Sequence, residues 1–411
     1  MRVGRKLSIF SWSMYDFAST IFSMNVISLY FALWVTVDMK EQDIFYSIAI
    51  SLSMLLAAFT SPILGAISDH FRRRMPFLIT TISICALFTT FISLTNHILP
   101  GLIFFIIANY CFQVAEVFYN ALLPTVSGNR QIGRVSGIGI GLGYCGTIVG
   151  LLLVSPFAEK WGRHATFIPT ALFYFIFSLP CFIFVKDKRQ TGGNRDVLGI
   201  KQHVKNAFLK TKNTIIDIRR YKGLLPFFVA AFISFNAIST VFVFMSVYTE
   251  KVMHFSNTEI VTFYIVSSAF AAIGSFFSGF LTDYLGAKYT FTGALSLWCV
   301  AVFIAAISMH KYLFWIVGPM VGISLGTTWT SARTLAINLS PPDMVGEIFG
   351  FYGLMGRTSA VIGPLLWGVV VWGFQSLGLI KYRLAVISLL LFLSVGLLIL
   401  QKVPCQKKRN P

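Results

Sequence analysis

The stretch Gly65-Ala66-Ile67-Ser68-Asp69-His70-Phe71-Arg72-Arg73-Arg74 lies between two long apolar runs. A second copy follows as Gly279-Phe280-Leu281-Thr282-Asp283-Tyr284-Leu285-Gly286-Ala287-Lys288. In both, a glycine precedes an aspartate by four residues, and a basic residue (Arg74 or Lys288) follows it by five. The copies stand 214 residues apart in a chain of 411, close to half its length. The spacing predicts a duplicated protein whose halves each carry a charged hairpin between their second and third apolar segments.

Working outward, only 12% of residues are charged, against about 25% in a typical soluble protein. The apolar residues form runs of twenty or more, enough to cross a hydrocarbon core of about 30 Å. Twelve spans are expected, roughly 8–36, 44–68, 76–95, 99–123, 135–156, 164–186, 224–250, 259–282, 288–309, 312–336, 345–373 and 381–402. The first is too long for the apolar core of a signal peptide and has no small-residue cleavage site after it, so it stays as a helix. The expected fold is an all-α integral membrane protein of twelve transmembrane helices, arranged as two six-helix bundles related by pseudo-twofold symmetry. Residues 1–186 form the first bundle and 224–411 the second, with a short basic tail. The linker 187–223 is basic. Val197, Ile200, Val204, Ala207, Phe208, Ile215 and Ile218 recur there at helical spacing among lysines, which predicts a helix along the membrane surface.

The net charge of +18 would suit nucleic acid, but its placement points to membrane topology. With the N-terminus inside, 24 lysines and arginines fall on inner segments and 7 on outer ones. That asymmetry predicts cytoplasmic termini. The short loops suit the inner (cell) membrane of a bacterium. Six cysteines form no CxxC pair, and six histidines lie scattered through loops. No metal site, cofactor site or nucleophile–base set is predicted, so the chain reads as no enzyme. Gly141-Leu142-Gly143-Tyr144-Cys145-Gly146 matches GxGxxG but sits within a span with no strand before it, which excludes dinucleotide binding. Gly133, Gly137, Gly143 and Gly150 map onto Gly346, Gly350, Gly356 and Gly363 at an offset of 213, the pattern of helices packing closely through small residues.

Charges inside spans are costly and usually functional. Four qualify: Asp16, Glu116, Arg333 and Arg357. On the fourth span Asn109, Gln113, Glu116 and Asn120 share a face, with Tyr119 beside them. The first span offers Asp16, Ser19, Thr20 and Ser23. The seventh offers Asn236, Ser239, Thr240 and Ser246, and the tenth Ser324, Thr327, Thr328 and Ser331. For any one hydroxyl the plain reading is an ordinary interhelical hydrogen bond. Polar stripes on spans 1, 4, 7 and 10 together predict a polar cavity. Glu116 stands eight residues before Pro124, and Arg333 eight before Pro341, so an acid and a base occupy equivalent positions in the two halves. Glu116 and Asp16 are the candidates for ion coupling. The cavity candidates are Ser23, Asn109, Gln113, Tyr119, Asn120, Asn236, Thr240, Thr327, Ser331, Arg333 and Arg357. Gly65, Asp69, Arg73, Arg74, Gly279, Asp283 and Lys288 are the candidate gate.

The paired Gly-x-x-x-Asp hairpins, the six-plus-six division and the glycine-rich fifth and eleventh spans resemble the major facilitator superfamily. Further motifs carry a narrower likeness: Tyr15-Asp16-Phe17-Ala18-Ser19, Glu116 through Pro124, Gly133-Arg134-Val135-Ser136-Gly137, Ser331-Ala332-Arg333, and Phe349-Gly350-Phe351-Tyr352 through Gly363-Pro364. These resemble the branch of fungal vacuolar amino-acid effluxers linked to autophagy and their bacterial relatives. The resemblance implies alternating access, with a small-molecule substrate bound near the midplane of the bilayer; the expected state is a monomer. The resemblance also implies amino-acid transport and H+ (or Na+) as coupling ion. Tyr15-Asp16 is similar as well to the cation-coupled glycoside symporters, so a sugar-type symporter is the alternative. A membrane receptor that has lost transport is the alternative from another class.

Overall fold

The computed structural model describes residues 2–71, 73–127, 132–186, 218, 220–221, 223–341 and 345–404. Among them twelve helices are long and apolar enough to cross a membrane, and there is no strand. α1 is a continuous rod over Arg2–Phe22, Ser23–Tyr30, Phe31–Leu33 and Trp34–Asp38. The others are α2 (Asp43–His70), α3 (Met75–Ile92), α4 (Ile98–Ser127), α5 (Ile132–Trp161), α6 (Phe167–Phe184), α7 (Leu224–Lys251), α8 (Asn257–Leu285), α9 (Ala287–Ile307), α10 (Lys311–Leu339), α11 (Val345–Gly373) and α12 (Ile380–Leu400). Of the predicted surface helix in the linker only Ile218 is described. The rest of that segment lies outside the described residues.

α1 is not α-helical throughout. Over Ser23–Tyr30 and Trp34–Asp38 its turns widen into π-helix. The Phe31 N–H bonds the Val26 carbonyl, and the Met39 N–H bonds the Trp34 carbonyl at 2.8 Å, each five residues back. Helix ends follow local chemistry. Ser256 and Glu259 form a reciprocal cap at the start of α8, with N–H to oxygen distances of 3.2 and 2.9 Å. Such a cap satisfies two donors that the first turn would leave open. Gly286, at φ 94°, breaks the chain between α8 and α9 in a conformation other residues avoid.

The chain forms two compact units. One holds Met1–Glu41 and Leu52–Lys210, the other Gln42–Ser51 and Thr211–Pro411. α2 is therefore divided between them. Within the first unit α1 packs on α5 and α6, and α3 on α4 and α6. Within the second, α7 packs on α11 and α12, and α9 on α10 and α12. The second pattern is the first advanced by six helices, so the duplication read from the hairpins extends to the packing. One pair breaks the correspondence. α8 lies against α10 along much of its length, whereas α2 makes no close approach of comparable extent. The cause is compositional. Gly322 and Gly326 put one bare face of α10 on the backbone of α8 at Ser267, Ala271 and Ser275, and Gly318 lies against the side chains of Ser267 and Phe263. The corresponding positions of α4, 217 residues earlier, are Gly101, Phe105 and Asn109.

The core of the first unit is an aromatic column between α1 and α4. Tyr15 meets Tyr119 with ring centroids 4.3 Å apart, Phe22 meets Phe112 at 4.7 Å, and Phe31 meets Phe105 at 4.2 Å. The α4 members recur every seven residues, two helical turns, so they share one face. Outward-facing positions such as Phe59, Phe276, Phe280 and Leu398 are exposed and apolar, as a lipid-facing surface requires.

Candidate functional site

Asp16 sits on α1, partly exposed, where α1 crosses α4 and α5. Its Oδ2 accepts the Tyr119 hydroxyl at 2.6 Å. The Tyr119 ring stacks on Trp12 at 4.4 Å with an interplanar angle of 11°. Trp12 Nε1–H donates to the Tyr119 carbonyl at 3.3 Å. The Tyr15 and Tyr174 hydroxyls lie 3.3 Å apart. The aromatic members are buried to within 2% of full burial; only the carboxylate reaches an accessible face.

α1 comes this close because α5 presents glycine to it. A Cβ on Gly139 would overlap Asp16 Oδ2, and one on Gly146 would overlap the Phe17 carbonyl. Gly143 lies against Thr20, whose Oγ1–H donates to the Gly143 carbonyl at 2.7 Å. Gly150 lies against Ile21 and Asn25. The contact face is thus Gly139, Gly143, Gly146 and Gly150, stepping by four, three and four. The sequence reading found two of these and paired them with Gly137, around which nothing lies within 4 Å. In the second unit Gly363 packs on Asn236 and Thr240 of α7, while Gly356 has open space. The α-helical step, counted along one face, was the signal that the internal repeat obscured. The GxGxxG match resolves the same way: Gly143 and Gly146 serve helix contact.

Glu116 is partly buried on α4, beside half-buried Gln113 and exposed Asn120. Asn120 Nδ2–H donates to the Glu116 carbonyl at 2.7 Å and reaches Oε2 at 3.5 Å. Asn109 is fully buried and donates to Ser53 Oγ at 2.6 Å. Ser23 is half-buried, its hydroxyl 3.4 Å from the Thr20 carbonyl. In the second unit Asn236, Thr240, Thr327 and Ser331 are buried. Their side chains donate to the carbonyls of Phe232, Asn236, Gly274 and Thr327, at 2.7, 2.7, 3.5 and 2.6 Å. Arg333 on α10 and Arg357 on α11 are both half-buried. The side-chain carbonyl oxygens of Asn25, Asn109 and Asn236 are buried with no hydrogen-bond partner in the protein.

Of the hairpin residues, Gly65 and Gly279 have open space around them. Arg73 and Asp283 are exposed. Arg74 donates to the Ala121 carbonyl of α4, and Lys288 donates to the Gln401 carbonyl just past α12 at 3.2 Å. Arg5 likewise donates to the Ser127 carbonyl at the end of α4. At Ser127 and Gln401 these basic side chains sit at helix C-terminal ends, where carbonyls lack helical donors; Ala121 lies more than a turn inside α4. The side chain of Asp69 lies outside the described residues.

Sequence reasoning missed a cluster at Asp43, the first residue of α2, which is 3% exposed. Its carboxylate accepts the Tyr382 hydroxyl at 3.0 Å and lies 3.8 Å from Lys251 Nζ and 3.5 Å from Trp367 Nε1. Lys251 Nζ also donates to the Tyr382 oxygen at 3.0 Å. In the sequence Asp43 stands at a helix start, where an acidic residue is ordinary, so nothing marked it. Among the described residues no group of three or more His, Cys, Asp or Glu could hold a metal.

A duplicated set of twelve membrane helices with charged side chains part-way along them defines a multi-pass membrane transporter. The profile of the Major Facilitator Superfamily matches residues 15–364 and again 260–411; the chain belongs to that superfamily. It is 26% identical to the uncharacterised MFS-type transporter YxiO of Bacillus subtilis, over 96% of this chain and 94% of that protein. It is 23% identical to Autophagy-related protein 22 of Saccharomyces cerevisiae, over 76% and 69%. Two solved structures share the fold. The nucleoside transporter NupG has a TM-score of 0.73 at 14% identity, covering 99% of this chain and all of that one. A bacterial homologue of the human lysosomal transporter Spinster, inward-facing and unoccupied, has a TM-score of 0.74 at 13% identity, covering 98% of each. A transporter of this superfamily carries its solute unchanged, so the protein is no enzyme.

Proposed function

We propose that the protein is a secondary active transporter that moves a small polar solute by alternating access, with Glu116 and Asp16 exchanging the coupling protons. The observation that carries this reading is the Asp16–Tyr119 pair, 2.6 Å apart. It places a carboxylate part-way along a membrane helix on a built support, with a second carboxylate, Glu116, one helical turn from Tyr119 on α4. Carboxylates in a span are expensive, and they persist where they serve a path for ions or solute. The likeness to the vacuolar effluxers supports amino acids as the first solutes to try, with Arg333 and Arg357 as anchors for a carboxylate group. In this reading Arg74, Lys288 and the aspartates of the two hairpins form the gate, the protein works as a monomer, and both termini lie in the cytoplasm of a bacterial cell membrane.

The test is uptake of labelled amino acids and sugars into proteoliposomes, with an imposed pH or sodium gradient, for wild type and Glu116→Gln. Accumulation driven by the pH gradient and lost in Glu116→Gln is the expected result. Accumulation driven by sodium alone replaces the proton. No flux of any solute by folded protein overturns transport and leaves a receptor.

A further inference from the structure

The reading above puts Asp16 in the path but leaves open what fixes its carboxylate there. Three helices meet at this side chain. On the α5 side Gly139 leaves a niche: a methyl group there would overlap Asp16 Oδ2 and press on the Trp12 ring at 3.1 Å. On the α4 side the Tyr119 hydroxyl donates to the same oxygen at 2.6 Å. That donor cannot swing away. Its ring is 1% exposed, stacked on Trp12 and flanked by Tyr15 at 4.3 Å. Trp12 is itself tied to the Tyr119 backbone through Nε1–H, so the donor and the ring behind it brace each other.

We propose that Tyr119 and Gly139 are positioning residues for Asp16: together they hold its carboxylate in one orientation, and through Tyr119 its charge state is felt in the packing of α1 on α4. This deepens the transport reading and rests on it. Tyr119 and Gly139 are buried while Asp16 is partly exposed, so the supports act on the buried side of the carboxylate. A phenol donates more strongly to a carboxylate than to a neutral carboxyl. A proton or cationic group taken up at Asp16 therefore weakens the hydrogen bond that Tyr119 of α4 donates to it. A purely structural tyrosine would serve as well through its ring, since the Trp12 stack and the Tyr15 contact need no hydroxyl. The oxygen is the part that separates the two roles.

Tyr119→Phe removes that oxygen and keeps the stack. Two readouts apply, one of which needs no solute. The first is carbodiimide labelling of Asp16 against pH, followed by peptide mass spectrometry. The second is gradient-driven uptake against pH. In Tyr119→Phe the labelling midpoint moves by about half a pH unit or more, and the uptake profile moves with it. A second route uses Gly139→Ala. Its readout is thermal unfolding in detergent, since Asp16→Ala itself removes a coupling carboxylate and with it the uptake signal: Gly139→Ala lowers the melting temperature of the otherwise wild-type protein but adds little in an Asp16→Ala background, because the overlapping oxygen is gone; such non-additivity marks direct coupling. Coincident labelling profiles for wild type and Tyr119→Phe overturn the proposal. So does an equal loss from Gly139→Ala with and without Asp16. If wild type moves no solute, transport fails, and the labelling midpoints still decide whether Tyr119 positions Asp16.

Discussion

Glycines that look alike in the sequence differ in what their missing side chain allows. Gly322 faces the Ser267 carbonyl and the Ala271 amide of α8. Both are backbone atoms, which cannot rotate aside, so a methyl group there has to push α8 off α10. Gly137 and Gly356 have nothing within 4 Å, and a methyl there only trims the freedom of the unfolded chain. Gly322→Ala should destabilise the purified protein by about 1–3 kcal/mol, the usual cost of overpacking. Gly137→Ala and Gly356→Ala should be neutral or stabilise it by about 0.5–1 kcal/mol. Thermal unfolding of the three variants in one detergent checks both signs. The sequence marked the charged residues plainly, because any charge in a span stands out against its neighbours. The step of four, three and four among the α5 glycines could have placed Gly139 on the contact face, but that it lies opposite Asp16 is a fact about two helices.

Among the elements, the twelve helices were legible because hydropathy and length fix them. Two features were not. The first is the tie at the start of α2, where Asp43 meets Lys251, Trp367 and Tyr382, residues more than 200 positions away. The contact is long-range and leaves no local pattern. Asp43 is buried but Lys251 is partly exposed, so the loss on removing the carboxylate falls mainly on the buried donors left without their acceptor, about 1–3 kcal/mol. Asp43→Ala should therefore lower the melting temperature clearly. The double variant Asp43→Leu with Lys251→Met, which removes both charges and keeps the volume, should recover part of the loss. Equal melting temperatures for the two variants would mean that the pair adds nothing beyond packing. The second feature is the widening of α1, since Ser23–Tyr30 is as apolar and as regular as the helix on either side.

At the scale of the whole molecule, the charge asymmetry makes a prediction about sidedness. With the native cysteines removed, single cysteines at Lys40 and Lys160 should react with an impermeant thiol reagent in intact cells, and one at Arg5 or Lys288 only after the cells are opened. Labelling of Lys288→Cys from outside would reverse the assignment. The duplication also carries a record of length. On α4 the aromatic column steps by seven residues twice, through Phe105, Phe112 and Tyr119. On α1 the matching residues are Tyr15, Phe22 and Phe31, a step of seven and then one of nine, and the longer step spans the π turns. Each such turn takes roughly one residue more than an α turn, so two turns account for the two extra residues. α7, the equivalent helix of the other half, is α-helical throughout. α1 thus holds about two extra residues stored without breaking register, one in each widened turn, and should tolerate losing either or both. Excising one or two residues within 23–30 lets that many π turns close to α-helix with Phe31 still on Phe105. Excising a third, with no widened turn left to close, turns everything beyond it by about 100° and takes Trp34 off Gly101.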